Sequence, residues 1–388
     1  MRIGYFVHDL ADAAVHRRVR MMQSFADVTL LGFHRSDTAV LQLDGIETVD
    51  LGRTMDARFG QRALAVLRAA MNSGRWRDRL AGTTIFVARQ LEMLVLAAMV
   101  RGRVAPTAPL VFECLDIHRL MLSRHPASVA LRMLERRLLR SCSMLVVSSP
   151  AFLTSHFAGY GSALPPQLLL ENKVLAEDVP SGLLERIGQL RATLPFEGPP
   201  WRIGWFGVIR CRRSLQLLAN LVTALPGVVE VIIRGRPRRN VIPDFDQVVA
   251  TTPGLSFLGE YDRHTEFADL YGDVHFAWAV DFYEAGRNSD WLLPNRLYEG
   301  TLYGAVPLVV ASVETGRWLS VRQCGVRLDD TPDQCLERSV LEFFRGLDST
   351  QYSMARTAIT RVPLSDLLDD KVACDRFGKV LGMLSRRY

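Results

Sequence analysis

Lysine is nearly absent from this 388-residue chain: of its 47 basic residues only Lys173, Lys371 and Lys379 are lysines, so arginine carries almost all of its positive charge. Cysteine is sparse too. Cys114, Cys142, Cys211, Cys324, Cys335 and Cys374 form no Cys-x-x-Cys and have no histidine at zinc-ligand spacing, which leaves reduced thiols as the simplest reading. No apolar run approaches the roughly 18 residues of a membrane helix, and the longest candidate, Leu91 to Val100, opens with Leu-Glu. The N-terminus reads as a strand with one arginine instead of a charged region ahead of a long apolar core, which argues against secretion. Gly-x-x-x-x-Gly-Lys-[Ser/Thr], His-Glu-x-x-His and Gly-x-Ser-x-Gly are all missing, which excludes the signatures of a P-loop NTPase, a zincin and an α/β-hydrolase. Asp329-Asp330 and Asp369-Asp370 are adjacent acids, not a metal-binding Asp-x-Asp; neither a metal nor a cofactor is expected.

What the chain does hold is enough for two domains. It is 48% hydrophobic and 23% charged, as soluble globular proteins are, and its length exceeds what one core usually serves. The net charge of +6 favours anionic partners in a general way; nucleic acid is not expected among them.

Short apolar strands alternate with helical stretches through both halves. Strands are expected at Arg2 to Val7, Val28 to Gly32, Thr84 to Ala88, Leu110 to Cys114, Met144 to Ser148 and Leu168 to Leu170, with a helix at Val15 to Ser24. The rhythm restarts at Arg202 to Gly207, with a helix near Leu215 to Ala224 and strands at Val228 to Ile233, Leu255 to Leu258, His275 to Val280 and Leu308 to Ala311. Such alternation implies an α/β protein with parallel sheets covered by helices on both faces. The expected organisation is a first domain over 1–180, a punctuated linker over 181–200, a second domain over 201–362 and a C-terminal helix over 363–388.

The segment Leu293-Pro294-Asn295-Arg296-Leu297-Tyr298-Glu299, followed by Gly304-Ala305-Val306-Pro307 and an apolar run, reads as a helix with a proline start, a glycine stop and a buried strand behind it. Ionised Glu299 can only accept hydrogen bonds, which suits the vicinal hydroxyls of a ribose. Upstream, Gly207-Val208-Ile209-Arg210-Cys211-Arg212-Arg213-Ser214 joins a strand to a helix. A glycine turn, a helix start and arginines suit an anion such as a diphosphate.

These segments resemble the donor half-site of GT-B glycosyltransferases of the GT4-like type, in which a Pro-Asn-Lys-x-x-Glu segment precedes a Gly-x-Pro strand. The resemblance implies two Rossmann-like domains facing a central cleft, with the C-terminal helix crossing back to the first domain. It also implies that Glu299 binds the donor ribose, with Asn295 and Arg296 beside it, Arg296 standing where the family has lysine. Gly207, Arg210 and Arg213 match the segment opposite the donor phosphates, and Gly235 matches the glycine that lets the base approach the backbone. Trp291 stands where the family often has a second glutamate; Glu284 and Asp290 are nearby acids out of that register.

In the first domain, Val111-Phe112-Glu113-Cys114-Leu115-Asp116-Ile117-His118 runs from a strand into a polar loop. Asp116 or His118 would there serve as base for an acceptor hydroxyl or, by the resemblance, as a contact to the transferred sugar. His8 and Asp9 follow the first strand and are expected on the acceptor side. The stretch from Val7 to Arg20, with Leu31-Gly32-Phe33-His34-Arg35, resembles bacterial exopolysaccharide glycosyltransferases of the succinoglycan type. The activity implied is hexosyl transfer from a UDP-sugar to a saccharide acceptor, free or polyprenyl-diphosphate linked. Arg53, Arg58, Arg62, Arg68, Arg75, Arg77 and Arg79, interleaved with Met55, Phe59, Leu64, Val66, Leu67, Met71 and Trp76, read either as a surface helix or as a peripheral contact with the anionic inner face of the plasma membrane. A nucleotide-sugar 2-epimerase of the same fold and an inactive GT-B-like partner are the alternatives.

Overall fold

In a computed structural model the described residues are 1–35, 42–54, 59–180, 182–192, 198–263 and 265–386. The chain forms two compact units, one of Met1–Glu171 with Asp370–Tyr388, the other of Asn172–Asp369.

The first unit contains β1 (Arg2–Val7), β2 (Asp27–His34), β3 (Gln42–Leu43), β4 (Ile46–Arg53), β5 (Ile85–Arg89), β6 (Leu110–Cys114), β7 (Met144–Val147) and β8 (Gln167–Leu169). They line up as β3-β4-β2-β1-β5-β6-β7-β8, all parallel except the edge hairpin β3–β4, which turns at Asp44 and Gly45 with positive φ at both. Residues Ile85 to Arg89 and Leu110 to Cys114 are buried throughout, as expected of strands with helices on both faces. The strand order reverses between β1 and β5. Side chains that leave β1, β5 and β6 at their C-terminal ends therefore gather at the switch point, where open α/β sheets bind ligands.

The second unit contains β9 (Val174–Leu175), β10 (Trp201–Ile209), β11 (Val229–Pro237), β12 (Leu255–Phe257), β13 (Phe276–Trp278), β14 (Val306–Val310), β15 (Val326–Leu328) and β16 (Leu368–Asp369). Its main sheet is fully parallel in the order β12-β11-β10-β13-β14-β15, the Rossmann arrangement with its switch between β10 and β13. Trp201, Trp205 and Trp278 are fully buried in its core.

Two expected boundaries shift. The first unit ends at Glu171 instead of 180, because β9 pairs with β16 and so belongs with the second unit. Within the expected linker a helix runs over Leu183–Ala192 and buries Ile187 in the second unit's core; residues 181 and 193–197 lie outside the described residues. The tail also divides, since β16 stays with the second unit. The helix Lys371–Ser385 joins the first, its Phe377 meeting Phe25 edge-on at 5.9 Å between ring centres.

Of the basic stretch, Met55 and Arg58 lie outside the described residues. The rest contains a helix over Phe59–Met71 that buries Val66, Ala69 and Ala70 but leaves Leu64, Leu67 and Met71 half or more exposed.

Candidate active site

In the second unit, the helix Asn295–Tyr303 starts behind Pro294 and stops at Gly304, whose φ of +96° is left-handed. The helix carries the Glu299 carboxylate into the unit, where it is 4% exposed. One oxygen accepts from Arg263 Nη2 at 2.9 Å, the other from Tyr271 OH at 3.2 Å. Burial, reinforced by the Glu299 charge, pushes the Tyr271 hydroxyl well above its ordinary pKa, so it stays a donor. Two carboxylate oxygens offer about four acceptor sites, the acceptor chemistry that a ribose diol calls for.

One turn earlier, Arg296 gives Nη2 to the Val280 carbonyl at 3.2 Å, while its buried Nε has no hydrogen-bond partner among the described residues. An unsatisfied guanidinium nitrogen at the C-terminal end of β13 is suited to an anion. Asn295 Oδ1 accepts from Asn172 at 2.6 Å, which ties the helix start to the residue where the second unit begins.

Gly207 and Gly235 are register partners on β10 and β11. A Cβ on Gly235 would lie 2.0 Å from the Gly207 carbonyl oxygen, and its φ is +127°. The glycine is thus required by its neighbouring strand, a reason the expectation of a base-facing glycine did not include. Past Gly207, Arg210 reaches Asp281 at 3.4 Å and lies over the Tyr283 ring at 4.7 Å. Arg213 pairs with Asp330 at 3.2 Å and Glu337 at 3.6 Å and stacks over Phe282 at 4.2 Å. Burial works against its charge and these acids outweigh it, raising its pKa. Arg212 is committed bidentately to Asp244, and Arg239 to Asp246. These two acids form an Asp-x-Asp that sequence reading did not single out, and both are spent on arginine.

Sequence reading also missed Asp281. It is 9% exposed at its side chain, accepts from the Tyr283 N–H at 2.8 Å and shares a small cavity of about 20 Å³ with Ser289, Asp290, Pro294 and Thr315. Asp290 receives Gly286 N–H on both oxygens at 3.1 Å, and desolvation raises its pKa. Two acids therefore stand near the position left by Trp291. Their signal was spacing from β13, not from Glu299.

In the first unit, the switch point collects His8, Gln90 and Asp116. Gln90 follows β5 with φ +76° and ψ 155°, a strained backbone for a residue with a side chain. Its amide donates to Asp116 Oδ1. His8 lies 3.9 Å from Asp12 and feels the Asp116 charge; burial dominates, helped by Arg35 and Arg89, and lowers its pKa. Burial and Arg62 lower that of His118 as well, while its Nδ1 caps the following turn by accepting from Leu120 N–H at 3.2 Å. Both imidazoles are neutral at neutral pH, the form that can take a proton. Asp9 holds the turn after β1: one oxygen accepts from Ala11 N–H at 3.0 Å, and the other meets Arg35 at 3.1 Å.

Beneath this edge lies a buried ion cluster. Glu113 receives Arg18 at 2.7 Å, Arg89 at 2.9 Å and Tyr5 OH at 2.6 Å. Burial alone would raise the Glu113 carboxyl, but Arg89 and Arg18 overcome it and bring it to about 2.

No family model matches the chain. It is 40% identical to the succinoglycan biosynthesis protein ExoL of Rhizobium meliloti over 386 residues, 99% of this chain and 94% of that protein. Among solved structures it superposes on sucrose-phosphate synthase from Thermosynechococcus elongatus with a TM-score of 0.72 at 11% identity, covering 100% of each chain. Anabaena HepE in complex with UDP and glucose gives a TM-score of 0.68 at 16% identity, over 98% of this chain and 99% of that one. The two Rossmann-like units are those of the GT-B fold, and the chain belongs to the family of the succinoglycan biosynthesis protein ExoL.

Proposed function

We propose that this chain is a hexosyltransferase of exopolysaccharide synthesis that moves a sugar from a UDP-sugar to a saccharide acceptor. The observation that carries the reading is the pair on one helix turn: the buried Glu299 carboxylate, and Arg296 with an unmatched Nε three residues before it. Glu299 holds the ribose. Arg296, with Arg210 and Arg213, neutralises the diphosphate, and guanidinium charge supplies there what a divalent ion would otherwise supply at the leaving group. The family membership and the UDP-bound HepE structure support the choice of donor. Asp116, His118 and His8 are the acceptor-side groups, with an imidazole or carboxylate taking the acceptor hydroxyl's proton as the glycosidic bond forms and UDP departs.

The acceptor is a glycan linked to polyprenyl diphosphate, and the enzyme works against the inner face of the plasma membrane. Exposed Leu64, Leu67 and Met71 beside Arg68 on one helix support that placement; among the described residues no helix is long and apolar enough to cross a membrane.

Calorimetric titration with UDP and GDP tests the reading. UDP is expected to bind more tightly than GDP, and Arg296→Ala and Arg213→Ala to weaken UDP by tenfold or more. Failure of wild-type protein to bind either nucleotide overturns the proposal in favour of an inactive GT-B-like partner.

A further inference from the structure

The first unit holds an open-sided cavity of about 230 Å³. Its walls include Val66, Leu91, Val95, Phe112, Met121 and Leu131, drawn from the helices Phe59–Met71, Leu91–Val104 and Pro126–Leu139, from β6 and from the short turn Arg119–Leu122. Protein interiors are close-packed, and an apolar cavity of about 150 Å³ already stays dry and admits benzene. A larger one with these walls is suited to hydrocarbon.

The polar groups that line it are engaged with one another or with groups behind the wall. Arg62 pairs with Glu92 and Gln90 with Asp116. Glu135, 3% exposed, accepts from His156 Nε2 at 2.7 Å and Tyr160 OH at 2.6 Å. A sugar ring would need unsatisfied polar partners along the walls, whereas an aliphatic chain needs none. The lining also includes Asp116, which is exposed, His118, and the half-exposed Leu67. The cavity therefore adjoins the two groups assigned to the acceptor.

We infer that this cavity binds the aliphatic chain of an amphiphilic, glycan-headed acceptor, so that the hydrocarbon end is anchored in the first unit beside Asp116 and His118. The inference rests on the glycosyltransferase reading for the identity of the head group.

The test is a calorimetric series of n-alkyl β-glucosides from butyl to octyl, each below its micelle concentration, on the full chain. Affinity is expected to rise about fourfold per added methylene, as hydrocarbon transfer into an apolar site predicts. Alkyl phosphocholines of equal length are expected to bind more weakly. Leu131→Trp and Val95→Trp fill the cavity and are expected to abolish the chain-length dependence, with an unchanged far-UV spectrum and melting curve showing that each variant folds. A flat glucoside series, or an unchanged slope in both folded variants, overturns the inference; so does equal binding by the phosphocholines, which assigns the cavity to bilayer lipid. UDP titration of the same samples separates the two readings. A flat alkyl series with intact UDP binding removes only the cavity's role, whereas lost UDP binding in wild type removes the donor reading.

Discussion

Removing the Glu299 carboxylate should damage nucleotide binding far more than it damages the fold. Hydrogen bonds to a charged group contribute about 1.5–3 kcal/mol each, and a ribose diol makes two. Glu299→Ala is therefore expected to weaken UDP by about a hundredfold or more, and Glu299→Gln, which keeps one oxygen and the side-chain shape, by about tenfold. The structural cost comes in part from Arg263 and Tyr271, which lose their acceptor. Arg263, 31% exposed at its side chain, can turn to water. Tyr271, 1% exposed, cannot, and an orphaned buried donor costs about 1–3 kcal/mol. At roughly 2–4 °C per kcal/mol for a domain of 150–250 residues, the melting temperature of Glu299→Ala should fall by about 2–12 °C. Tyr271→Phe separates the effects, since it removes the buried donor while leaving the carboxylate; its UDP affinity should stay within about threefold of wild type. Calorimetry on the three variants, with a melting curve for each, is the assay. A folded Glu299→Ala protein that binds UDP as wild type does would refute the ribose role.

Three further outcomes follow from the same structure. Glu113→Gln leaves fully buried Arg89 without its counter-charge, so a loss of about 3–5 kcal/mol is expected in chemical unfolding followed by circular dichroism; because the Glu113 pKa falls from 4.5 to about 2 on folding, its contribution in wild type is complete above pH 4.5 and is lost as pH drops towards 2. His275, fully buried, accepts from the Arg202 N–H at 2.9 Å, and burial with Arg202 and Arg356 nearby lowers its pKa from 6.5 to about 4. The unfolded chain takes up that proton first, so the second unit should lose stability as pH falls from 6.5 to 4 and little more from this group below that. Tryptophan fluorescence reads this directly, since Trp201, Trp205, Trp278, Trp291 and Trp318 all lie in that unit, and His275→Asn should flatten the dependence. Gly235→Ala would force a methyl to within 2.0 Å of the Gly207 carbonyl at a φ of +127°, and is expected to lower the second unit's melting temperature by 5 °C or more, on the order of 2 kcal/mol, with UDP binding lost alongside.

The two sheets were legible because buried parallel strands leave short β-branched runs that period and punctuation expose. The expected strand at Arg2 to Val7 coincides with β1, and that at Leu110 to Cys114 with β6. The hairpin of β3 and β4 was missed because Asp44-Gly45 turns two strands of which one has only two residues. The helix Leu183–Ala192 was missed because proline and glycine flank it and only its packing, with Ile187 buried, distinguishes it from a linker. For the candidate site, the helix that carries Glu299 and Arg296 was readable because its start and stop are written in proline and glycine. Asp281 and Gln90 were not. Each draws its position from a strand end and from a partner far along the chain, Arg210 for one and Asp116 for the other, and no local spacing encodes such a meeting.

The most direct measurement is mass spectrometry of the products when the chain is incubated with a panel of UDP-hexoses, with and without a polyprenyl-diphosphate-linked glycan. The account predicts UDP release that depends on the acceptor, together with a product one hexose heavier. A new UDP-sugar of unchanged mass formed without acceptor, resolved from the donor by chromatography ahead of the spectrometer, or no turnover of any donor, would contradict it.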